Sequence, residues 1–197
     1  MTVDKESKAV DDTGSLGEPN ELRWHTHGER SIYESDWVHL NLVDVTPPNG
    51  KRFEHHVVRL QRVVLVVVVD DDERVLMLWR HRFVTNTWGW ELPGGIVEAG
   101  ELPEKAAERE TLEETGWVPR SLKKLIEFQP MPGMVDTPHE IYVSRDAEHV
   151  AEPSDEEEAS VVRWVPVVDV PGLIEHGLIA GAGSLIGLLQ LLNGPVS

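Results

Sequence analysis

Residues 94–117 read GGIVEAGELPEKAAERETLEETGW, and the rest of the chain is understood outward from this stretch. Seven glutamates fall within it, next to the paired glycines Gly94 and Gly95. Pro103 suits a first helical turn and Gly116 is a natural stop, so the spacing predicts a helix over 103–115. At about 100° per residue, Glu110, Glu113 and Glu114 then share one face, because positions i, i+3 and i+4 are neighbours on a helix. Like charges so placed repel by about 0.2–0.5 kcal/mol per pair. Arg109 is the cation beside them, while Lys105 points elsewhere. On composition alone a solvated acidic face is the simpler reading. A hard divalent cation supplies a sharper one, since Mg²⁺ is held by carboxylate oxygens, waters and substrate phosphates.

On either side of this helix the pattern is mostly of strands. RVVLVVVVD (62–70) is continuously β-branched, as expected of a strand buried on both faces. Asp70, Asp71 and Asp72 make a turn, and RVLMLWRHRF (74–83) is the return strand. Residues 86–100 read as a glycine-rich loop. Short strands are expected at KKLIEFQ (123–129), EIYVSR (140–145) and SVVRWVPV (160–167), and the apolar stretch 169–193 reads as one or two helices. Upstream, SIYESDWVHLNLVDV (31–45) and KRFEHHVVRL (51–60) flank a turn at Pro47–Gly50 and form a small antiparallel unit. The expected division is a flexible tail over 1–20, a small N-terminal β region over 21–58, and a main domain over 59–197. Strands on both sides of one central helix, with helices at the end, indicate a mixed α/β layered domain.

Bulk properties exclude several classes. The net charge of −17 leaves no basic stripe for a nucleic-acid backbone. There is no cysteine, which removes disulfides and thiolate metal sites and fits a reducing cytoplasm. Residues 1–20 lack an apolar signal core, and the C-terminal apolar run is short for a membrane span and holds glycine and glutamine. A soluble cytoplasmic protein with no membrane partner is the expectation. Histidines at 25, 27, 55 and 56 have no partner at metal-ligand spacing. His139–Glu140 has no second histidine four residues on, so the zinc-protease pattern is absent.

From Gly95, five residues lead to Glu101, then seven to Arg109–Glu110, then Glu113–Glu114 and Gly116–Trp117. This resembles the Nudix box. Every charged and glycine position of that pattern is met, and one apolar position is taken by Thr111. The resemblance implies an α/β/α sandwich with a mixed sheet, and hydrolysis of a nucleoside diphosphate linked to another group. Carried over to this sequence, it implies that Glu110, Glu113 and Glu114 hold Mg²⁺ or Mn²⁺, with the Gly94 carbonyl as a further oxygen. Arg109 would hold the glutamates in place.

Outside the box the resemblance runs to the ADP-ribose pyrophosphatase branch. LWRHRF (78–83) followed by WELPGG (90–95) matches that branch's strand and entry into the box. It implies that Arg82, with Arg80 in reserve, pairs with substrate phosphate or with a box glutamate. Pro132 stands fifteen positions after Trp117, where the branch carries a proline at the substrate site. A loop before the late strand would bring in a glutamate that orients or deprotonates the attacking water, which matches Glu156, with Glu157 and Glu158 as alternatives. Trp88 and Trp90, beside Gly89, could stack on a base or pack the loop against the core. The N-terminal strands imply exchange across a homodimer. The expected reaction is cleavage of ADP-ribose to AMP and ribose 5-phosphate. Another nucleoside diphosphate sugar, an oxidised nucleoside triphosphate, and a non-catalytic nucleotide-sugar sensor are the alternatives.

Overall fold

The structure is a computed structural model that describes residues 15, 17–154 and 160–194. The N-terminal region forms an antiparallel meander of β1 (His25–Glu34), β2 (His39–Thr46) and β3 (Phe53–Arg59). The expected single run over 31–45 is divided in two. Ser35 donates its amide to the Val38 carbonyl at 3.0 Å, and its hydroxyl accepts from the Val38 amide at 3.2 Å, which turns the chain.

β4 (Val63–Val68) and β5 (Arg74–Arg82) are joined by a turn in which Asp70 Oδ1 accepts from the Arg74 amide at 2.8 Å. Then come β6 (Thr87–Glu91), β7 (Gly94–Ile96) and helix α1 (Pro103–Thr115). The expected loop over 86–100 thus holds two strands. Residues 87–91 pair antiparallel with β5 and 94–96 with β4, and this pairing overrides the weak intrinsic preference of a glycine-rich segment. After the helix come β8 (Trp117–Arg120), β9 (Lys123–Phe128), β10 (Val135–Asp136), β11 (His139–Ser144), β12 (Asp146–His149) and β13 (Val161–Pro166). The apolar C-terminal stretch forms two helices, α2 (Val170–Glu175) and α3 (Ala182–Leu192).

The central mixed sheet has the order β7–β4–β11–β9, with β4 and β11 parallel and both outer pairs antiparallel. β13–β5–β6 is a second, antiparallel sheet, and β8 pairs with β12. Side chains of β4 alternate between two cores. Val64, Val66 and Val68 share a core with Ala106 and Ala107 of α1. Val67 and Val69 share the other with Leu188 and Leu191 of α3. A strand covered on both faces needs an apolar residue at every position, which explains the unbroken apolar run of valines and Leu65. Each such burial stabilises by roughly 1.5–3 kcal/mol. The architecture is therefore α/β/α, with the small antiparallel unit added at the N-terminus. That unit is continued by β10, which pairs parallel with β3 through Val58 and Val135. Among the described residues, no helix is long and apolar enough to cross a membrane.

Candidate active site

α1 begins at Pro103 without a side-chain cap and ends at Gly116, whose φ of 77° only glycine adopts readily. Its amide closes the helix on the Leu112 carbonyl at 2.8 Å. A Cβ at Gly116 would also lie 1.9 Å from the Ala151 carbonyl oxygen, so the returning chain packs directly on the helix end. That return is pinned by the Ser154 amide, which donates to the Glu113 carbonyl at 2.8 Å. Ser154 is the last described residue before the acidic run. Glu156, Glu157 and Glu158 lie outside the described residues.

Glu110, Glu113 and Glu114 of α1 stand in graded surroundings. Glu114 is buried. Arg80 Nη2 donates to its Oε1 at 2.6 Å and the Gly94 amide donates to its Oε2 at 2.8 Å. Burial pushes the Glu114 carboxyl up to about 6, against the pull of Arg80 and the Gly94 amide. Glu110 lies half-way in; burial raises its carboxyl too, opposed by Arg109. Glu113 is the most exposed of the three. Glu110 lies against backbone at Gly95, where a Cβ would fall 2.4 Å from its carboxyl carbon. Any larger residue at 95 displaces that carboxylate. The glycine pair that opens the box therefore has a steric purpose.

Arg109 is the hub of the cluster. It donates to Glu101 through Nε at 3.0 Å and Nη2 at 2.9 Å, to Glu110 at 2.7 Å, to Glu113 at 3.0 Å and to the Ile96 carbonyl at 3.1 Å. The bidentate bond to Glu101 is the main reason that its guanidinium is held well above the ordinary arginine range. Glu101 thereby belongs to the cluster, as the anchor of the residue that spaces the other carboxylates.

The resemblance put Arg82 first, with Arg80 in reserve, to pair with substrate phosphate or with a box glutamate; of the two, it is Arg80 that bonds a box glutamate. Arg80 and Arg82 lie on the same face of β5, but Arg80 is one pleat deeper, 2% exposed, and touches Glu114. Arg82 sits at the strand end and is held by Glu91, with Nη2 donating at 2.6 Å. Glu91 also faces Arg80, at 3.6 Å. Glu91 was not singled out from the sequence, although its place two residues after Gly89, opposite Leu78 on β5, is what strand alternation requires of a partner for these arginines. Arg80, Arg82 and Glu91 line a cleft of about 510 Å³ that runs out to Phe83 and Val84.

Two other residues expected at the substrate, Trp90 and Pro132, do not line this cleft. Trp90 pairs across the hairpin with Trp79, its ring 5.3 Å away, and packs on the core beneath α3. It lies on the opposite face of β6 from Glu91, because adjacent strand residues point to opposite sides. Pro132 is exposed in the turn before β10 and lines a separate small pocket of about 180 Å³ beside Val57. At Gly94 it is the amide N–H that the structure engages with the box.

The donor set is made of carboxylates only, the chemistry of a hard cation. Two of them are partly or wholly buried and pushed towards protonation, a deficit that a nearby positive charge would relieve. Among the described residues no three acidic or histidine side chains already converge at metal-binding distance; the Arg109 guanidinium stands between Glu101, Glu110 and Glu113. By donor chemistry the cluster fits a divalent ion.

Comparison with known proteins agrees with this geometry. A profile of the NUDIX domain matches residues 59–181. The chain is 43% identical over 172 residues to a CMP-5'-(N-acetyl-N-hydroxy-3-aminopropyl)phosphonate hydrolase of Streptomyces rubellomurinus, covering 87% of this chain and 84% of that one. It is 30% identical over 156 residues to an ADP-ribose pyrophosphatase of Bacillus subtilis, covering 78% of this chain and 84% of the relative. A crystal structure of an ADP compounds hydrolase superposes with a TM-score of 0.74 at 20% identity, over 86% of this chain and 92% of that one, a likeness that bears on the fold. The chain belongs to the Nudix hydrolase family, and within it is similar to the ADP-ribose pyrophosphatase branch.

Proposed function

We propose that this Nudix hydrolase cleaves the P–O–P linkage of ADP-ribose, giving AMP and ribose 5-phosphate, with Mg²⁺ or Mn²⁺ as cofactor. The observation that carries the reading is the buried Glu114, held between Arg80 and the Gly94 amide on the same helix face as Glu110 and Glu113, beside an open cleft. Glu110, Glu113 and Glu114 hold the divalent ion. When bound, it neutralises charge on the diphosphate and makes water at the site more acidic. Arg109 keeps the carboxylates apart and aimed. Arg80 fixes Glu114, and Arg82, at the cleft, steers the substrate phosphates. Water adds to one phosphorus in line, the bridging oxygen leaves with the other, and the water's proton passes to a glutamate of the 156–158 run. The tie between Ser154 and the Glu113 carbonyl supports that last assignment, because it brings the chain to the box immediately before the run.

A second reading has its own observation. The 43% identity to a hydrolase of a CMP-linked phosphonate favours a phosphate–phosphonate anhydride as substrate, split by the same machinery. A panel of ADP-ribose, a CMP-linked phosphonate, other nucleoside diphosphate sugars and 8-oxo-dGTP, with products identified by chromatography, separates the readings. The highest kcat/KM is expected on ADP-ribose; the CMP-linked compound in that place supports the second reading. Turnover of triphosphates alone, or binding without turnover, contradicts both.

We also propose that the N-terminal sheet, over roughly residues 21–58, joins two copies into a homodimer. All ten residues of β1 are exposed, among them Ile32 and Tyr33. Sedimentation equilibrium should give twice the chain mass; a monomer at all concentrations contradicts it.

A further inference from the structure

The chain on both sides of the acidic run 155–158 returns to the box helix, and the two returns meet at Trp117. Upstream, His149 stands opposite Trp117 in the β8–β12 ribbon, with the two rings 5.2 Å apart. The residues that follow lie along the end of α1. The Val150 and Ala151 amides both donate to the Gly116 carbonyl, at 3.0 and 3.3 Å, before Ser154 reaches Glu113. Downstream, β13 sets Trp164 edge-on to the same indole, at 5.0 Å and 87°, a favoured aromatic geometry. β13 also places Val161 opposite Trp79, the neighbour of Arg80.

We infer that Trp117 is a positioning residue for the hydrolysis: its indole clasps the two segments that flank the acidic run and so keeps the run's glutamates in register with the box. The inference rests on the function proposed above, in which one of those glutamates takes the proton from water. Chain reach shows why the anchors matter. With Ser154 tied to Glu113 and Val161 paired beside Arg80, none of Glu156, Glu157 and Glu158 is more than three residues from a fixed point. At roughly 3.3–3.6 Å per residue, that tether is about 10 Å long. A proton acceptor must come within hydrogen-bond distance of the attacking water, and a misplacement of about 1 Å can cost up to 100-fold. Freeing either anchor therefore lowers the rate without touching metal or substrate. Trp117 itself does not line the cleft at Arg80. It also leans on the core beneath α1, and an aliphatic residue keeps that packing while losing both ring contacts.

The test compares Trp117→Leu with the ring-preserving Trp117→Phe. A second pair is Ser154→Pro, which deletes the amide donor to Glu113, and Ser154→Ala, which keeps it. Each protein is assayed for kcat and KM on ADP-ribose, or on the panel compound cleaved best. Mg²⁺ affinity is measured by calorimetry, and exchange of the Val150, Ala151 and Ser154 amides by NMR. In Trp117→Leu, kcat should fall about tenfold, part of the 10²–10⁴-fold that a general base supplies. KM and Mg²⁺ affinity should stay within about twofold of the parent, and the three amides should exchange faster. Trp117→Phe should restore both rate and protection. Ser154→Pro should lose rate in the same way, and Ser154→Ala should match the parent. A packing role alone would lower the urea midpoint and leave the kcat of the folded protein where it was. Parent-like kcat in Trp117→Leu, a Mg²⁺ affinity that falls with the rate, or no recovery in Trp117→Phe overturns the inference. Should Trp117→Leu not fold, the Ser154 pair decides, and equal rates in its two members overturn it. Faster amide exchange without loss of rate refutes a base in the 156–158 run, and with it any part for Trp117 in the reaction. A parent that cleaves nothing in the panel refutes the proposed reaction itself.

Discussion

The N-terminal sheet and the Nudix box are both stitched by arginine–glutamate pairs, yet the two sets stand in opposite surroundings. In the sheet, Arg30 Nε donates to Glu54 at 2.8 Å across exposed strands, and Arg59 reaches Glu29 at 2.7 Å. In the box, Arg80 meets Glu114 at 2.6 Å with both side chains almost wholly out of water, at 3% and 4% exposure. The distances hardly differ; what differs is the alternative open to each partner. A surface arginine that loses its glutamate returns to water. Glu114, deprived of Arg80, keeps the hydrogen bond from the Gly94 amide in a low-dielectric surround. Similar geometry therefore carries unlike consequences, and the buried pair is the one tied to chemistry.

The contrast sets the predictions, the largest first. Glu114→Gln removes a proposed cation ligand while nearly keeping its shape; kcat on ADP-ribose should fall by about 10²–10³-fold, with a cooperative unfolding transition retained. A rate equal to that of the parent would remove Glu114 from the mechanism. Arg80→Met strands the buried carboxylate and should cost roughly 3–5 kcal/mol in urea denaturation. A negligible change would mean that Glu114 takes up a proton or finds water without cost. Arg30→Ala, on the exposed sheet, should leave the urea midpoint where it was. A clear shift there would erase the distinction between the two regions.

Much of this was legible in the chain itself, for physical reasons that can be named. The apolar run 63–69, valine at every position but Leu65, suggests a strand covered on both faces, and its even and odd members do pack against α1 and α3. Pro103 and Gly116 bound the helix because each fits one terminus and disrupts an interior. Thr111, the departure from the box pattern, is fully buried. Its hydroxyl is satisfied within the helix by the Ala107 carbonyl at 2.7 Å, so it can occupy an apolar position. What the sequence hid was depth and facing. Arg80 and Arg82 are equivalent by alternation, and only the packing of β5 shows which one reaches Glu114. Trp90 stands next to the box in sequence, but the pleat turns it towards Trp79. Strands β6 and β7 draw their stability from partners distant in the chain, so local composition marked them as loop.

At the centre of the account is the claim that the acidic face of α1 holds a divalent cation against a diphosphate. Its most direct test is the initial rate of ADP-ribose hydrolysis after exhaustive chelation with EDTA, followed by titration with Mg²⁺ or Mn²⁺. The rate should fall to background in EDTA and recover fully on adding metal, with circular dichroism unchanged throughout. Turnover that persists undiminished in EDTA would contradict it.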